Sequence, residues 1–156
     1  MARLRSPLLL ALAVLLAIEA VGGLVLFFAR LAFGRLPGES LHVIAGALLC
    51  VVYAAYQWSH WTRVRPFRGR LDHALGLIAA IFMAATNVTG LALGLAWWRA
   101  RDSVANSRAA AYDPPLSAAH NLGSMVVLTF VAAHVGAVLL RDRRRSRRAP
   151  RSTGGS

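Results

Sequence analysis

The sequence contains no lysine and only one cysteine, and just six of its 156 residues are acidic. The single cysteine, Cys50, excludes a disulfide scaffold. Charged residues make up 15% of the chain, whereas a water-soluble domain usually carries roughly 25%. The apolar share of 57% excludes a disordered chain, because disorder requires low hydrophobicity. The sequence therefore favours a small integral membrane protein over a soluble enzyme.

Long apolar segments occupy most of the chain, at about 7–29, 41–61, 74–98 and 118–140. Each can form a helix across a hydrocarbon core of ~30 Å, which needs about 20 apolar residues. None contains arginine, and Glu19 is the only formally charged residue in any of them. Backbone polar groups must pair within the bilayer, which makes helices the expected structure. We predict an all-α, integral membrane four-helix up-and-down bundle over residues 1–140.

Arginine is distributed unequally between the two ends of these spans. Thirteen arginines lie in the N-terminus, the second loop and the tail, and five lie in the other two loops. The positive-inside rule therefore places both termini in the cytoplasm. The absence of lysine with abundant alanine and arginine indicates a GC-rich bacterial genome, so we expect a multi-pass protein of a bacterial inner membrane. A signal peptide is disfavoured because the first apolar run is too long. Residues 141–156 are predicted to be a basic disordered tail, which we interpret as a topology anchor rather than a site for nucleic acid or anionic lipid.

Two short patterns recur in the two halves of the sequence. VGGL at 21–24 in span one resembles VTGL at 88–91 in span three. A histidine followed within four residues by glycine opens span two at His42 and span four at His120. Such internal similarity predicts a duplicated helical hairpin.

Every histidine lies inside or at the mouth of a span: His42, His60, His73, His120 and His134. Ionisable residues are expensive in a bilayer and usually face the bundle interior. His42 and His120 open parallel spans at the same depth, so their imidazoles can ligate one iron from opposite faces of a flat macrocycle. His134 follows His120 by 14 residues, whereas His60 follows His42 by 18. The inner end therefore leaves three alternatives: His60 or His73 pairs with His134, or the inner site is empty.

This pattern, with glycines on spans one and three, resembles the four-helix haem core of b-type membrane cytochromes. Examples are the cytochrome b of quinol-oxidising complexes and the b-type subunits of formate dehydrogenases and nickel–iron hydrogenases. Leu41-His42-x3-Gly46 and Ser59-His60-Trp61 are similar to short signatures of such proteins. The resemblance implies haem b, ligated by His42 with His120 and, at a second site, by His60 with His134. The 18-residue spacing on span two is longer than that family's usual spacing.

The same resemblance implies cofactor contacts by five further residues: Gly23, Gly46, Gly90, Gly123 and Arg99. Small residues let a backbone approach a flat ligand closely, although ordinary helix packing also accounts for the glycines. Arg99 can pair with a haem propionate, and topology explains it equally well. Glu19 lies near mid-membrane, where an unpaired charge is unfavourable. We favour a hydrogen bond from Glu19 to Asn87 or Thr86, with a proton relay or a quinone contact as the alternative.

Two axial histidines leave the haem iron no open position, which favours electron transfer over substrate chemistry. We expect a membrane b-type cytochrome that carries electrons between a quinone pool and a partner redox protein, or across the membrane. No nucleotide-binding loop or cysteine cluster is present, so the chain is expected to be a subunit of an oxidoreductase rather than a free-standing enzyme. The alternative is a haem-free four-helix scaffold, assembly factor or small transporter. The sequence leaves the oligomeric state open.

Overall fold

The computed structural model describes residues 6–34, 36–63, 71–100 and 113–148. They form four α-helices: α1 (Pro7–Phe33), α2 (Glu39–Arg63), α3 (Leu71–Ala100) and α4 (Pro114–Arg148). Each helix is long and apolar enough to cross a membrane, and the described residues contain no strand. The predicted all-α, four-helix membrane fold is confirmed.

Proline and glycine residues mark both ends of α1 and the start of α2. Pro7 occupies the first turn of α1, where its missing N–H costs no hydrogen bond. Gly34 ends α1 in the left-handed conformation at φ 63°, and its N–H donates to the carbonyl of Arg30 at 3.0 Å. Gly38 also has a positive φ, of 75°, and its carbonyl accepts from the N–H of His42 at 3.1 Å. This short connection places His42 in the first turn of α2.

The fourth helix is longer than the sequence predicts. The expected disordered tail starts at residue 141, but α4 continues through Arg148. Arginine is a good helix former, and positive charge is favourable at a helix C-terminus. The 35 residues of α4 span about 52 Å, so the last turns extend beyond a hydrocarbon core of ~30 Å. Residues 149–156 of the predicted tail lie outside the described residues.

The predicted orientation stays a prediction. It depends on eighteen arginines, half of which lie outside the described residues, among them Arg3, Arg5, Arg65, Arg68 and Arg70. The two ends of the bundle are named after this predicted orientation. The end where α1 finishes and α2 begins is called the outer end.

The four helices form a ring of neighbours made from two hairpins. The contact between α3 and α4 is the most extensive, followed by that between α1 and α2. Smaller contacts of α2 with α3 and of α1 with α4 close the ring. Among the described residues, α2 and α4 make no close backbone approach, so they lie diagonally across the bundle. The two hairpins therefore meet loosely and leave space between them.

Most large apolar side chains face outwards. Leu31, Phe33 and Trp58 are each at least 75% exposed. Among the described residues, those that are buried all have small, aliphatic or thioether side chains: Leu12, Leu26, Ala45, Leu49, Ala79, Met83 and Val127. An apolar surface this large is unusual for a soluble monomer, and contact with lipid explains it. The apolar helices thus indicate that the surface of the bundle faces a bilayer.

Candidate functional site

A cavity of about 560 Å³ lies between the two hairpins and is lined by residues of all four helices. Its volume falls within the 300–1,000 Å³ that is typical of small-molecule sites, which are mostly apolar with a few placed polar groups. Polar residues from every helix reach it, including Glu19, His42, Thr86, Asn87, His120 and Ser124. The polar groups belong mainly to the outer half of the bundle. This cavity is the candidate functional site.

The structure brings His42 and His120 together across this cavity. Their ring centroids are 6.3 Å apart, and the ring planes are inclined by 72°. The two residues come from α2 and α4, the helices whose backbones do not approach each other. The side chains therefore reach towards each other from opposite walls, as their matching depth in the sequence predicts.

Two groups on α3 fix the orientation of His120. Its Nδ1 lies 3.2 Å from the carbonyl oxygen of Thr86 and 3.2 Å from Oγ1 of Thr89. The Thr89 hydroxyl has its own acceptors, the carbonyls of Ala85 and Thr86, at 3.1 and 3.0 Å. Because a carbonyl oxygen can only accept, Nδ1 carries the hydrogen. The other ring nitrogen, Nε2, keeps a free lone pair, as a metal-binding imidazole requires.

His42 has a different partner, the carboxyl group of Glu19 on α1. Nδ1 of His42 lies 2.9 Å from Oε2 of Glu19, which is an ion-pair distance. The contact lies outside hydrogen-bonding geometry, because Nδ1 has no hydrogen-bond partner. Glu19 is 11% exposed at its side chain. The partner predicted for Glu19 was Asn87 or Thr86, and the structure places its carboxyl on His42 instead.

Glycines on the first helix of each hairpin accommodate these imidazoles. A β-carbon built on Gly23 of α1 would lie 3.4 Å from Cε1 of His42. A β-carbon on Gly90 of α3 would lie 2.9 Å from Cε1 of His120, a separation that real side chains do not adopt. Each histidine thus lies against a glycine of its partner helix, and the contact in the second hairpin is the tighter one.

On the second helix of each hairpin, a glycine packs against a polar side chain of the first helix. A β-carbon on Gly46 of α2 would lie 3.2 Å from Oε2 of Glu19. A β-carbon on Gly123 of α4 would lie 2.8 Å from Oγ1 of Thr86. The glycines predicted as cofactor contacts therefore touch the polar and imidazole side chains that line the cavity. The matching exchange of contacts in both hairpins agrees with the predicted duplication.

Three buried polar atoms lack a hydrogen-bond partner among the described residues: Oε1 of Glu19, Nδ1 of His42 and Oγ1 of Thr86. All three residues line the cavity. Buried polar groups in folded proteins are nearly always hydrogen-bonded. Three such unpaired atoms around one cavity indicate a site where a bound group or water supplies the missing hydrogen bonds.

The inner histidines lie outside this cavity. His134 packs against α3, where a β-carbon on Gly76 would lie 2.9 Å from its Cε1. His60 stacks on Tyr56 of its own helix, with ring centroids 5.5 Å apart. His73 lies in the first turn of α3, and none of these three histidines lines the cavity. The second haem site at His60 and His134 stays a prediction.

Some lining residues differ from those that sequence reasoning selected. Arg99 and Gly123 do not line the cavity, and Gly123 lines a separate groove of about 270 Å³ between α3 and α4. Arg30 and Glu39 also line the cavity near the outer end, and neither was predicted as a site residue. Helical periodicity was the available signal, because Glu39 precedes His42 by three residues and so shares its helix face.

The described residues contain no group of three or more His, Cys, Asp or Glu side chains that could hold a metal ion. The candidate site thus brings together two imidazoles and the carboxyl of Glu19 from three helices, in a cavity with apolar walls. Comparison with protein-family models, curated proteins and solved structures finds no match for this chain. Any functional assignment therefore depends on the geometry of the chain itself.

Proposed function

We propose that this chain is a membrane b-type cytochrome in which His42 and His120 are the axial ligands of a haem b bound in the cavity. One observation carries the proposal. Two imidazoles on diagonal helices face the same cavity with ring centroids 6.3 Å apart. The resemblance of the histidine pattern to b-type cytochromes predicts this pairing, and its geometry supports it.

The separation of the rings is compatible with one metal ion between them. An imidazole nitrogen binds a first-row metal at about 2.0–2.1 Å, so two rings that share one ion have centroids about 6 Å apart. The partners of Nδ1 of His120 leave its Nε2 free for a metal. A haem requires only two side-chain ligands because the porphyrin supplies four nitrogens. The absence of a larger ligand cluster among the described residues is therefore compatible with the proposal.

The residues around the histidines would hold the group in place. Gly23 and Gly90 leave room for the two imidazoles, so the rings can remain against α1 and α3. Leu49, Met83 and Val127 are buried side chains that line the cavity, and such apolar walls exclude water. A haem held by His42 and His120 would supply a reversible one-electron centre.

Electron transfer through this site needs a donor and an acceptor. We infer that they are a membrane quinone and a partner redox subunit, because the cavity lies within apolar spans. The residues Arg30 and Glu39 line the outer side of the cavity. A propionate or a quinone oxygen near that end would find a guanidinium donor there.

Haem stoichiometry in detergent-purified protein tests the proposal. The protein is produced with haem supplied, and the reduced-minus-oxidised absorption spectrum and the haem content per chain are measured. We expect low-spin haem b bands in the wild type. His42→Ala and His120→Ala should each reduce the haem content below a tenth. Thr129→Ala is the control, because Thr129 lies on α4, does not line the cavity and, among the described residues, bonds only the carbonyl of Met125 in its own helix.

Each outcome has a definite meaning. A wild-type protein without haem after haem-replete production would exclude the proposal and favour the haem-free scaffold or transporter. Haem that survives both His42→Ala and His120→Ala would show that the ligands lie elsewhere. A content of two haems per chain, reduced to one by His134→Ala, would establish the predicted inner site.

A further inference from the structure

The two histidines of the cavity differ in what their Nδ1 atoms contact. Nδ1 of His120 meets neutral oxygens, from the Thr86 carbonyl and the Thr89 hydroxyl. Nδ1 of His42 meets a carboxyl oxygen of Glu19 at 2.9 Å. Ligand imidazoles that donate to a carboxylate become more basic and are held in one orientation. The two walls of the cavity therefore present electronically different imidazoles.

The position of Glu19 is determined by packing as well as by its contact with His42. The carboxyl group lies against Gly46, one helical turn from His42 on α2, where a β-carbon would come within 3.2 Å of Oε2. Any larger residue at position 46 would therefore move the carboxyl group. Gly22 and Gly23 of α1 contact the imidazole ring itself, at 3.8 and 3.4 Å from their built β-carbons. One helix thus supplies both the surface against which the ring lies and the acid beside it.

The contact between Glu19 and His42 is close but incomplete. The two atoms are within hydrogen-bonding distance, yet Nδ1 of His42 and Oε1 of Glu19 both lack a hydrogen-bond partner. A buried polar group without a hydrogen-bond partner is unfavourable. A small rotation of the imidazole would direct its N–H at the carboxylate and turn Nε2 into the cavity.

We propose that Glu19 is a positioning residue for His42. Its carboxylate accepts the Nδ1 hydrogen of His42 and fixes the tautomer with Nε2 towards the cavity. The inference rests on the proposed function, since the group bound by Nε2 is the haem iron. A negative charge beside one ligand stabilises the oxidised iron over the reduced iron. Glu19 therefore lowers the reduction potential of the site.

The first test compares Glu19→Gln with the wild type in haem-loaded, purified protein at one fixed pH. Glutamine keeps the shape of the side chain and removes the charge. For the haem that remains bound, we expect a shift of the reduction equilibrium by at least tenfold towards the reduced form, which is 59 mV for one electron. Glu19→Thr, which copies the residue at the corresponding contact in the second hairpin, should shift it in the same direction.

A matched control separates the contact with His42 from charge in general. Glu39 is a second acidic residue that lines the cavity, and Glu39→Gln removes the same charge. We expect a shift less than half as large as that of Glu19→Gln. Equal shifts in the two variants, or no shift in Glu19→Gln, would overturn the proposal.

A second measurement does not require haem. In haem-free protein with ¹⁵N-labelled histidine, the imidazole nitrogen shifts report the tautomer of His42. We expect the Nδ1–H form in the wild type and loss of this preference in Glu19→Leu. An unchanged tautomer would refute the positioning role. If the wild type binds no haem, the proposed function fails, and this measurement alone decides whether Glu19 orients His42.

Discussion

The two hairpins of the bundle make the same pattern of contacts between helices, but with chemically different side chains. In both, a histidine of the second helix lies against a glycine of the first, and a polar residue of the first lies against a glycine of the second. The polar residue is Glu19 in the hairpin of α1 and α2, and Thr86 in the hairpin of α3 and α4. Only Glu19 approaches its histidine with a charged group.

The hairpins differ in tightness as well. The contact between α3 and α4 is the more extensive, and its glycine positions are the more crowded, at 2.9 and 2.8 Å against 3.4 and 3.2 Å. The second hairpin thus holds its histidine by close packing and neutral hydrogen bonds. The first holds its histidine with more space and an acid. This difference indicates that packing fixes His120 and electrostatics fixes His42.

The largest expected effect comes from adding a methyl group at the glycine that packs against His120. The glycine that packs against His42 provides the comparison. Gly90→Ala places a β-carbon 2.9 Å from His120, and overpacking of this kind costs about 1–3 kcal/mol. We expect haem affinity to fall by roughly tenfold or more, since 1.4 kcal/mol is a factor of ten. Gly23→Ala meets His42 at 3.4 Å, an ordinary contact, and should change affinity by less than threefold. Haem titration of the purified proteins measures both.

Gly136→Ala is the control for this pair, because a β-carbon at Gly136 would have no atom of another helix within 4 Å among the described residues. It should leave haem affinity unchanged and can stabilise α4 by up to about 1 kcal/mol through helix propensity. Equal losses of affinity in Gly90→Ala and Gly23→Ala would contradict the difference in tightness between the hairpins.

The next effect concerns the polar side chain in the tighter hairpin. Gly123→Ala brings a β-carbon within 2.8 Å of Oγ1 of Thr86, and we expect about 1–2 kcal/mol loss in the free energy of unfolding. Removing the hydroxyl with Thr86→Ala should restore most of that loss, because neighbouring sites are coupled by 0.5–3 kcal/mol. Unfolding in mixed detergent micelles measures the four proteins of this cycle. Additive effects would show that the two residues do not meet.

The four helices and the pairing of His42 with His120 were predictable from the sequence. The first depends on the length of the apolar runs, and the second depends on the spacing of residues along the helices. Four apolar runs set the four helices, and equal depth on parallel spans brings His42 and His120 together. The partner of Glu19 was not predictable in this way. Its choice of His42 over Asn87 or Thr86 depends on which helices neighbour α1, and span hydropathy carries no such information.

Residues 141–148 show a second limit. Their charge excludes a membrane span and led to the prediction of a disordered tail, but it does not exclude a helix. Arginine has high helix propensity, and the preceding span supplies a formed helix from which further turns extend without a new nucleation cost. Hydropathy thus locates the end of the span near residue 140, whereas the helix ends at Arg148.

A smaller effect is expected at the junction between the hairpins. The hydroxyl of Tyr53 on α2 donates to the carbonyl of Ala80 on α3 at 3.1 Å. Tyr53→Phe should lower the free energy of unfolding by about 0.5–1.5 kcal/mol and leave haem content unchanged, because Tyr53 does not line the cavity. Tyr56→Phe, which keeps the ring that stacks on His60, should cost less. A loss of haem in Tyr53→Phe would show that the cavity depends on how the hairpins are joined.

The smallest effect should arise beside His120. Thr89→Val removes the hydroxyl whose oxygen lies 3.2 Å from Nδ1 of His120, but the Thr86 carbonyl remains at 3.2 Å. The ring therefore keeps an acceptor and its tautomer, and no charge is lost. We expect the reduction equilibrium to change by less than about threefold, ~30 mV at 59 mV per tenfold. A shift as large as that of Glu19→Gln in the same redox titration would contradict this prediction. It would mean that neutral and charged partners of Nδ1 affect the reduction equilibrium equally, so the two hairpins would not differ electronically.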